Sequence, residues 1–163
     1  MIDGLESLAP KRPESSRVTM TQLVLPGMTN QHGSVFGGTV MSWIDICAAV
    51  SAYRHVGGEV VTASVDDLHF LAPIYVGWVV ELTSQVYYTG RTSVDIAVQV
   101  IGENPKNGNR SLTAKCFLTF VAIDENQKPR PVPGLILDTD IDKKNYNLAK
   151  QHRDLRMQRF GLS

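Results

Sequence analysis

Asp45 is an acid set inside an otherwise apolar helical run, Thr39–Val40–Met41–Ser42–Trp43–Ile44–Asp45–Ile46–Cys47–Ala48–Ala49–Val50–Ser51–Ala52–Tyr53. Its helical neighbours three and four positions away are Met41, Ser42, Ala48 and Ala49, none of them a cation. A buried carboxylate without a partner is costly. Asp45 therefore either lines a wet pocket as a general base or nucleophile, or it is exposed or paired by another element. Gly37 and Gly38 stand immediately before this run. Without side chains they leave the first N–H groups of a helix open to a carbonyl oxygen gaining negative charge, though they serve equally as a turn into the helix. Asn30 offers an amide to a carbonyl or a water, and His32 offers an imidazole; both also suit an ordinary loop.

A second polar group, Gly90–Arg91–Thr92–Ser93, forms a compact connection between strand-like runs. A guanidinium pairs bidentately with phosphate, and hydroxyls and backbone donors can complete the grip; a solvated hairpin has the same composition. Asp66 and Asp67 are adjacent in a strand-like run, where alternation sends them to opposite faces and argues against a paired-carboxylate centre. Ser34 and Ser42 lack a nucleophile-elbow pattern, so a serine triad is disfavoured. Cys47 and Cys116 lie in apolar runs without metal-ligand or redox spacing, which fits buried thiols in a reducing, cytoplasmic compartment and predicts no metal and no cofactor.

The elements that must position these residues fit one domain. The chain has 163 residues, with 16 lysines plus arginines against 16 aspartates plus glutamates. That balance disfavours a nucleic-acid surface but permits a small positive mouth for an anion. No apolar stretch approaches the about 20 residues of a membrane span, so membrane insertion is not expected. Residues 1–16 read as a loosely held arm, 17–126 as the folded domain and 127–163 as a C-terminal extension. An extended segment over 18–24 precedes the helix, which Gly57 and Gly58 stop. Apolar residues on nearly every face of that helix predict that other structure encloses it. Strands are predicted over 60–70, 78–88, 92–101 and 110–123. Their short links favour antiparallel pairing. A polar helix over 147–160 closes the chain, as an exposed element or a partner contact. These pieces make an α+β domain in which a curved antiparallel sheet wraps one long helix.

The run Asn30–Gln31–His32–Gly33–Ser34–Val35–Phe36–Gly37–Gly38 followed by Met41–Ser42–Trp43–Ile44–Asp45 resembles the acyl-coenzyme A thioesterase branch of the hotdog-fold proteins. The resemblance continues through Val65–Asp66–Asp67–Leu68–His69–Phe70–Leu71–Ala72–Pro73–Ile74 and Gly90–Arg91–Thr92–Ser93. It implies a hotdog fold, hydrolysis of acyl-coenzyme A, and homodimers that assemble into a homohexamer with active sites at subunit interfaces. It implies Asp45 as the catalytic carboxylate, Asn30 as the facing polar residue from the other subunit, and Gly37 and Gly38 as the turn holding the thioester oxygen. Gly90, Arg91, Thr92 and Ser93 resemble the coenzyme A-facing connection. Water activation by Asp45 is the preferred order; direct attack would form an anhydride. The alternatives within the fold are a non-catalytic acyl-coenzyme A-binding regulator and a dehydratase. A dehydratase should carry a histidine on the helix where Asp45 stands.

Overall fold

The computed structural model describes residues 8–161. Its centre is α1, Gly37–Val56. Val40, Trp43, Ile44, Cys47, Ala48, Ala52 and Val56 recur at helical spacing and are buried, which is how one broad face enters the core. Ala48 and Ala52 are fully buried and let the sheet approach closely. The helix ends at Gly57, whose left-handed φ of 70° places its N–H on Tyr53 O at 2.8 Å. Enclosure is one-sided, contrary to the sequence expectation: Met41, Ile46 and Tyr53 lie on the exposed face of the single chain.

The sheet has strands β1 (Val18–Leu23), β2 (Val60–Phe70), β3 (Val79–Thr89), β4 (Ser93–Asn104) and β5 (Asn109–Ala122). All pairs are antiparallel, in the order β1-β3-β4-β5-β2, so β1 and β2 are the edges. Alternation divides the two faces. Val94, Ile96, Val98 and Val100 of β4 join Leu118 and Phe120 of β5 in the core beneath α1. Ser93, Asp95 and Thr119, of opposite parity, are also buried, because a second helix covers that face. This is the hotdog arrangement that the sequence resemblance implied.

The covering helix, α2, spans Asp140–Arg159 and begins seven residues before its predicted start. Thr139 sets the boundary with a capping box: its hydroxyl accepts from Asp142 N at 3.1 Å, and Asp142 Oδ2 accepts from Thr139 N at 3.4 Å. Polar residues dock it. Arg153 reaches Asp95 at 3.3 Å, Arg156 reaches Asp66 at 2.8 Å, and His152 Nδ1 lies 2.7 Å from Asp67. Asp66 and Asp67 thus both engage α2, instead of pointing to opposite faces. A register shift between Asp66 and His69, with Asp67 at φ 51°, interrupts the strand's alternation there.

Residues 1–7 of the expected arm lie outside the described residues. The rest of it is anchored: Lys11 bridges to Leu135, and the short 3-10 turn Pro13–Ser16 buries Ser16, whose Oγ accepts from Val86 N at 3.0 Å. Among the described residues, no helix is long and apolar enough to cross a membrane.

Candidate active site

Asp45 sits in the third turn of α1, half-buried, and points toward edge strand β2. Thr62 Oγ1 of that strand donates to Asp45 Oδ1 at 2.8 Å. Among the described residues no cation lies within ion-pair distance of Asp45. The carboxylate is therefore oriented by one neutral donor, beside the exposed Met41 and Ile46. Sequence reasoning missed Thr62, because a β-branched hydroxyl residue is ordinary in a strand and its place opposite Asp45 depends on how β2 packs on α1.

Asn30 and the two glycines form a separate group at the start of α1. Asn30 Oδ1 accepts from His32 N at 2.9 Å and Ser34 N at 3.3 Å, and its Nδ2 donates to Ser34 Oγ at 3.0 Å. Gly33, at φ 80°, closes this turn with its N–H on Asn30 O at 3.1 Å. His32 is exposed and takes part only through its backbone. Thr39 N and Val40 N both fold back on Phe36 O, at 3.0 and 3.2 Å. The N–H groups of Gly37 and Gly38 have no such acceptor among the described residues, as expected of a helix's first turn. A cleft of about 380 Å³ opens beside Gly37, lined by residues of α1, the end of β2 and β5.

Gly37 and Asp45 are eight positions apart on one helix. At 1.5 Å per residue that is about 12 Å along its axis, too far for one carbonyl to be held at Gly37 and attacked beside Asp45 of the same chain. Asn30, Gly37 and Gly38 thus form one polar group in this chain, and Asp45 with Thr62 a second.

This fold and sequence recur in known proteins. Residues 32–108 match the family model of the thioesterase superfamily. The uncharacterized acyl-CoA thioester hydrolase YkhA of Bacillus subtilis is 43% identical over 90% of this chain and 85% of its own length. The chain belongs to the acyl-CoA thioesterase branch of the hotdog-fold thioesterase superfamily. An acyl-CoA hydrolase from Staphylococcus aureus, solved with butyryl coenzyme A and coenzyme A, superposes with a TM-score of 0.85 at 38% identity, covering 92% of each chain. Structures of that protein also exist with one aspartate, one threonine or one asparagine changed to alanine. An apo-hexameric acyl-CoA thioesterase gives a TM-score of 0.88 at 42% identity, covering 94% of this chain and 99% of that one.

In this thioesterase chain the Gly90–Ser93 connection divides its residues. Arg91 is exposed, and Thr92 is half-buried with its carbonyl accepting from Ala122 N at 2.9 Å. Ser93 turns inward, with Oγ accepting from Arg153 Nη1 at 2.9 Å. Gly90 donates to Ser93 O at 2.8 Å, and any Cβ there would sit 2.9 Å from both Ser93 Oγ and the Arg153 guanidinium. Ser93 and Gly90 therefore shape the hairpin and seat α2, whereas Arg91 is free to meet an anion. Both thiols are free and buried, and burial raises the Cys47 pKa and lifts that of Cys116 to about 12. Trp43 belongs to the core, and Trp78 packs edge-on against Tyr75. Among the described residues no group of three or more His, Cys, Asp or Glu is placed to hold a metal ion.

Proposed function

We propose that this protein hydrolyses acyl-coenzyme A to a free carboxylic acid and coenzyme A at sites shared between two subunits. One subunit supplies Asn30, Gly37 and Gly38, and the other supplies Asp45 with Thr62. The observation that carries this reading is the separation of about 12 Å between the two halves on one helix. A two-fold contact lets residue i of one copy meet residue j of the other, twice, and so completes two sites. The exposed Met41, Ile46 and Tyr53 of α1, with Val61 and Val65 of the unpaired edge β2, offer the apolar surface for that contact. The asparagine, aspartate and threonine replaced in the Staphylococcus aureus hydrolase are separated by the same chain intervals as Asn30, Asp45 and Thr62.

The thioester carbonyl oxygen rests at the Gly37 and Gly38 N–H groups, where charge develops as the tetrahedral species forms. Asn30 holds the water or the carbonyl. Asp45 takes a proton from the attacking water, the C–S bond breaks, and the proton returns to the departing thiolate. Thr62 fixes one carboxylate oxygen, leaving the other toward the water. Arg91 takes a phosphate of coenzyme A at the mouth. The dimers assemble into a hexamer, and the two free buried cysteines suit a cytoplasmic setting.

The test is release of free thiol from short, medium, long and aromatic acyl-coenzyme A compounds by exhaustively chelated protein. Turnover is expected without metal, and Asp45→Asn is expected to lose roughly 100-fold or more in kcat. Stoichiometric binding without turnover by a folded oligomer would favour the acyl-coenzyme A-binding regulator instead.

A further inference from the structure

Arg153 of α2 lies across the β3–β4 turn and touches both of its arms. On the β3 arm its guanidinium carbon stands 5.4 Å from the centroid of the Tyr88 ring. On the β4 arm its Nη1 donates to Ser93 Oγ at 2.9 Å and to Asp95 Oδ2 at 3.3 Å. Between the arms it rests against Gly90. A Cβ there would lie 2.9 Å from Nη2 and 3.3 Å from Cζ, so the bare glycine makes room for the guanidinium. A buried counter-ion keeps the cation in place: the Asp95 side chain is 4% exposed, and Thr119 Oγ1 also donates to it. Arg91 sits on the turn so held. Gly90 N donates to Ser93 O at 2.8 Å, Val132 N to Arg91 O at 3.0 Å and Ala122 N to Thr92 O at 2.9 Å. The backbone that carries Arg91 is thereby fixed from the sheet, and Arg153 closes the side that faces α2. All these contacts lie within one chain and need no partner subunit.

We propose that Arg153 is a positioning residue for coenzyme A: through Ser93 and Gly90 it holds the turn in the shape from which Arg91 meets a phosphate. This rests on the thioesterase reading and on its assignment of Arg91 to the nucleotide. A turn that is already ordered loses less freedom when its guanidinium pairs with an anion. Releasing it should weaken binding roughly two- to tenfold, the scale of one long side chain that has to be ordered on binding. The chemical step is placed elsewhere, at residues of α1 and β2, so kcat should hold. The helix also keeps its seat without Arg153, because Arg156 docks it on Ser64 and Asp66 at 3.1 and 2.8 Å.

The test measures kcat and KM for the best substrate of wild-type protein between acetyl- and palmitoyl-coenzyme A, and for the matching N-acetylcysteamine thioester, which lacks the nucleotide. Arg153→Gln, Arg153→Lys and Ser93→Ala are made alone and together with Arg91→Ala, with assembly checked by size-exclusion chromatography. Ser93→Ala removes only the link from helix to turn and leaves the Arg153–Asp95 pair. Arg153→Gln and Ser93→Ala should raise KM for the coenzyme A substrate roughly two- to tenfold, keep kcat and leave the truncated thioester unaffected. Arg153→Lys, which keeps the charge, should fall between Arg153→Gln and wild type. In the Arg91→Ala background the same changes should add little, since the group they position is gone. Unchanged KM in assembled variants overturns the proposal. So do equal losses on both substrates, or a full effect that persists without Arg91. If Arg91→Ala itself leaves the preference for the nucleotide intact, the Arg91 assignment falls and this role with it. Absence of hydrolysis of every substrate by wild-type protein brings down the thioesterase reading and both assignments together.

Discussion

Thr62 Oγ1 donates to Asp45 Oδ1 at 2.8 Å, joining edge strand β2 to the exposed face of α1. The bond holds one carboxylate oxygen; in the proposed mechanism the other faces the attacking water. Thr62→Val keeps the shape of the side chain and removes the donor. It should lower kcat roughly tenfold or more with little change in KM, while Thr62→Ser retains most of the activity. Wild-type kcat in the valine variant would deny Thr62 a positioning role.

Asn30→Ala and Asp45→Ala homodimers should each be inactive at both sites. A mixed dimer gathers both defects into one site and leaves the other intact. Random exchange of the two variants should restore about one quarter of wild-type activity, since about half the dimers are mixed and half their sites are whole. Differently tagged chains verify the exchange. Verified mixed dimers without activity would argue for catalysis inside one subunit.

Arg91 is exposed on the β3–β4 connection, where its guanidinium can meet phosphate. Arg91→Ala should weaken kcat/KM for acyl-coenzyme A more than for a truncated thioester that lacks the nucleotide. Equal losses on the two substrates would assign the residue to general site geometry.

His55 is fully buried at the end of α1, with Nε2 2.7 Å from Pro133 O and Nδ1 without a hydrogen-bond partner among the described residues. Burial lowers its pKa below 6.5, opposed by the Pro133 hydrogen bond and assisted by the charge of Lys11. In the unfolded chain the ring protonates first as pH falls. Its contribution to stability is therefore complete above pH about 6.5 and is lost as pH falls through the lowered folded-state value, by up to about 1.4 kcal/mol per pH unit. Melting temperature should drop through this window in wild-type protein and less steeply in His55→Gln. Parallel curves for the two proteins would contradict this assignment.

The outline of the fold is legible in the sequence because its signals are local. The apolar spacing around Asp45, the Gly57 stop and the period of two in β4 and β5 each act within a few residues, and the element order follows from them. The start of α2 was legible as well, in the Thr139–Asp142 capping box, although the polarity of the helix obscured it.

The sequence by itself determined the central helix and the antiparallel strands around it, and it marked Asn30, Gly37, Gly38 and Asp45 as candidates. Only the tertiary structure decided what each one meets. Thr62 becomes the partner of Asp45 through the packing of β2 on α1, and Ser93 leaves the surface because Arg153 docks above it. Asp66 and Asp67 both turn to α2 through an irregular strand register. The physical reason is common to all three: periodicity fixes which face of its own element a side chain occupies, whereas its partner is chosen by contacts between elements far apart in the chain.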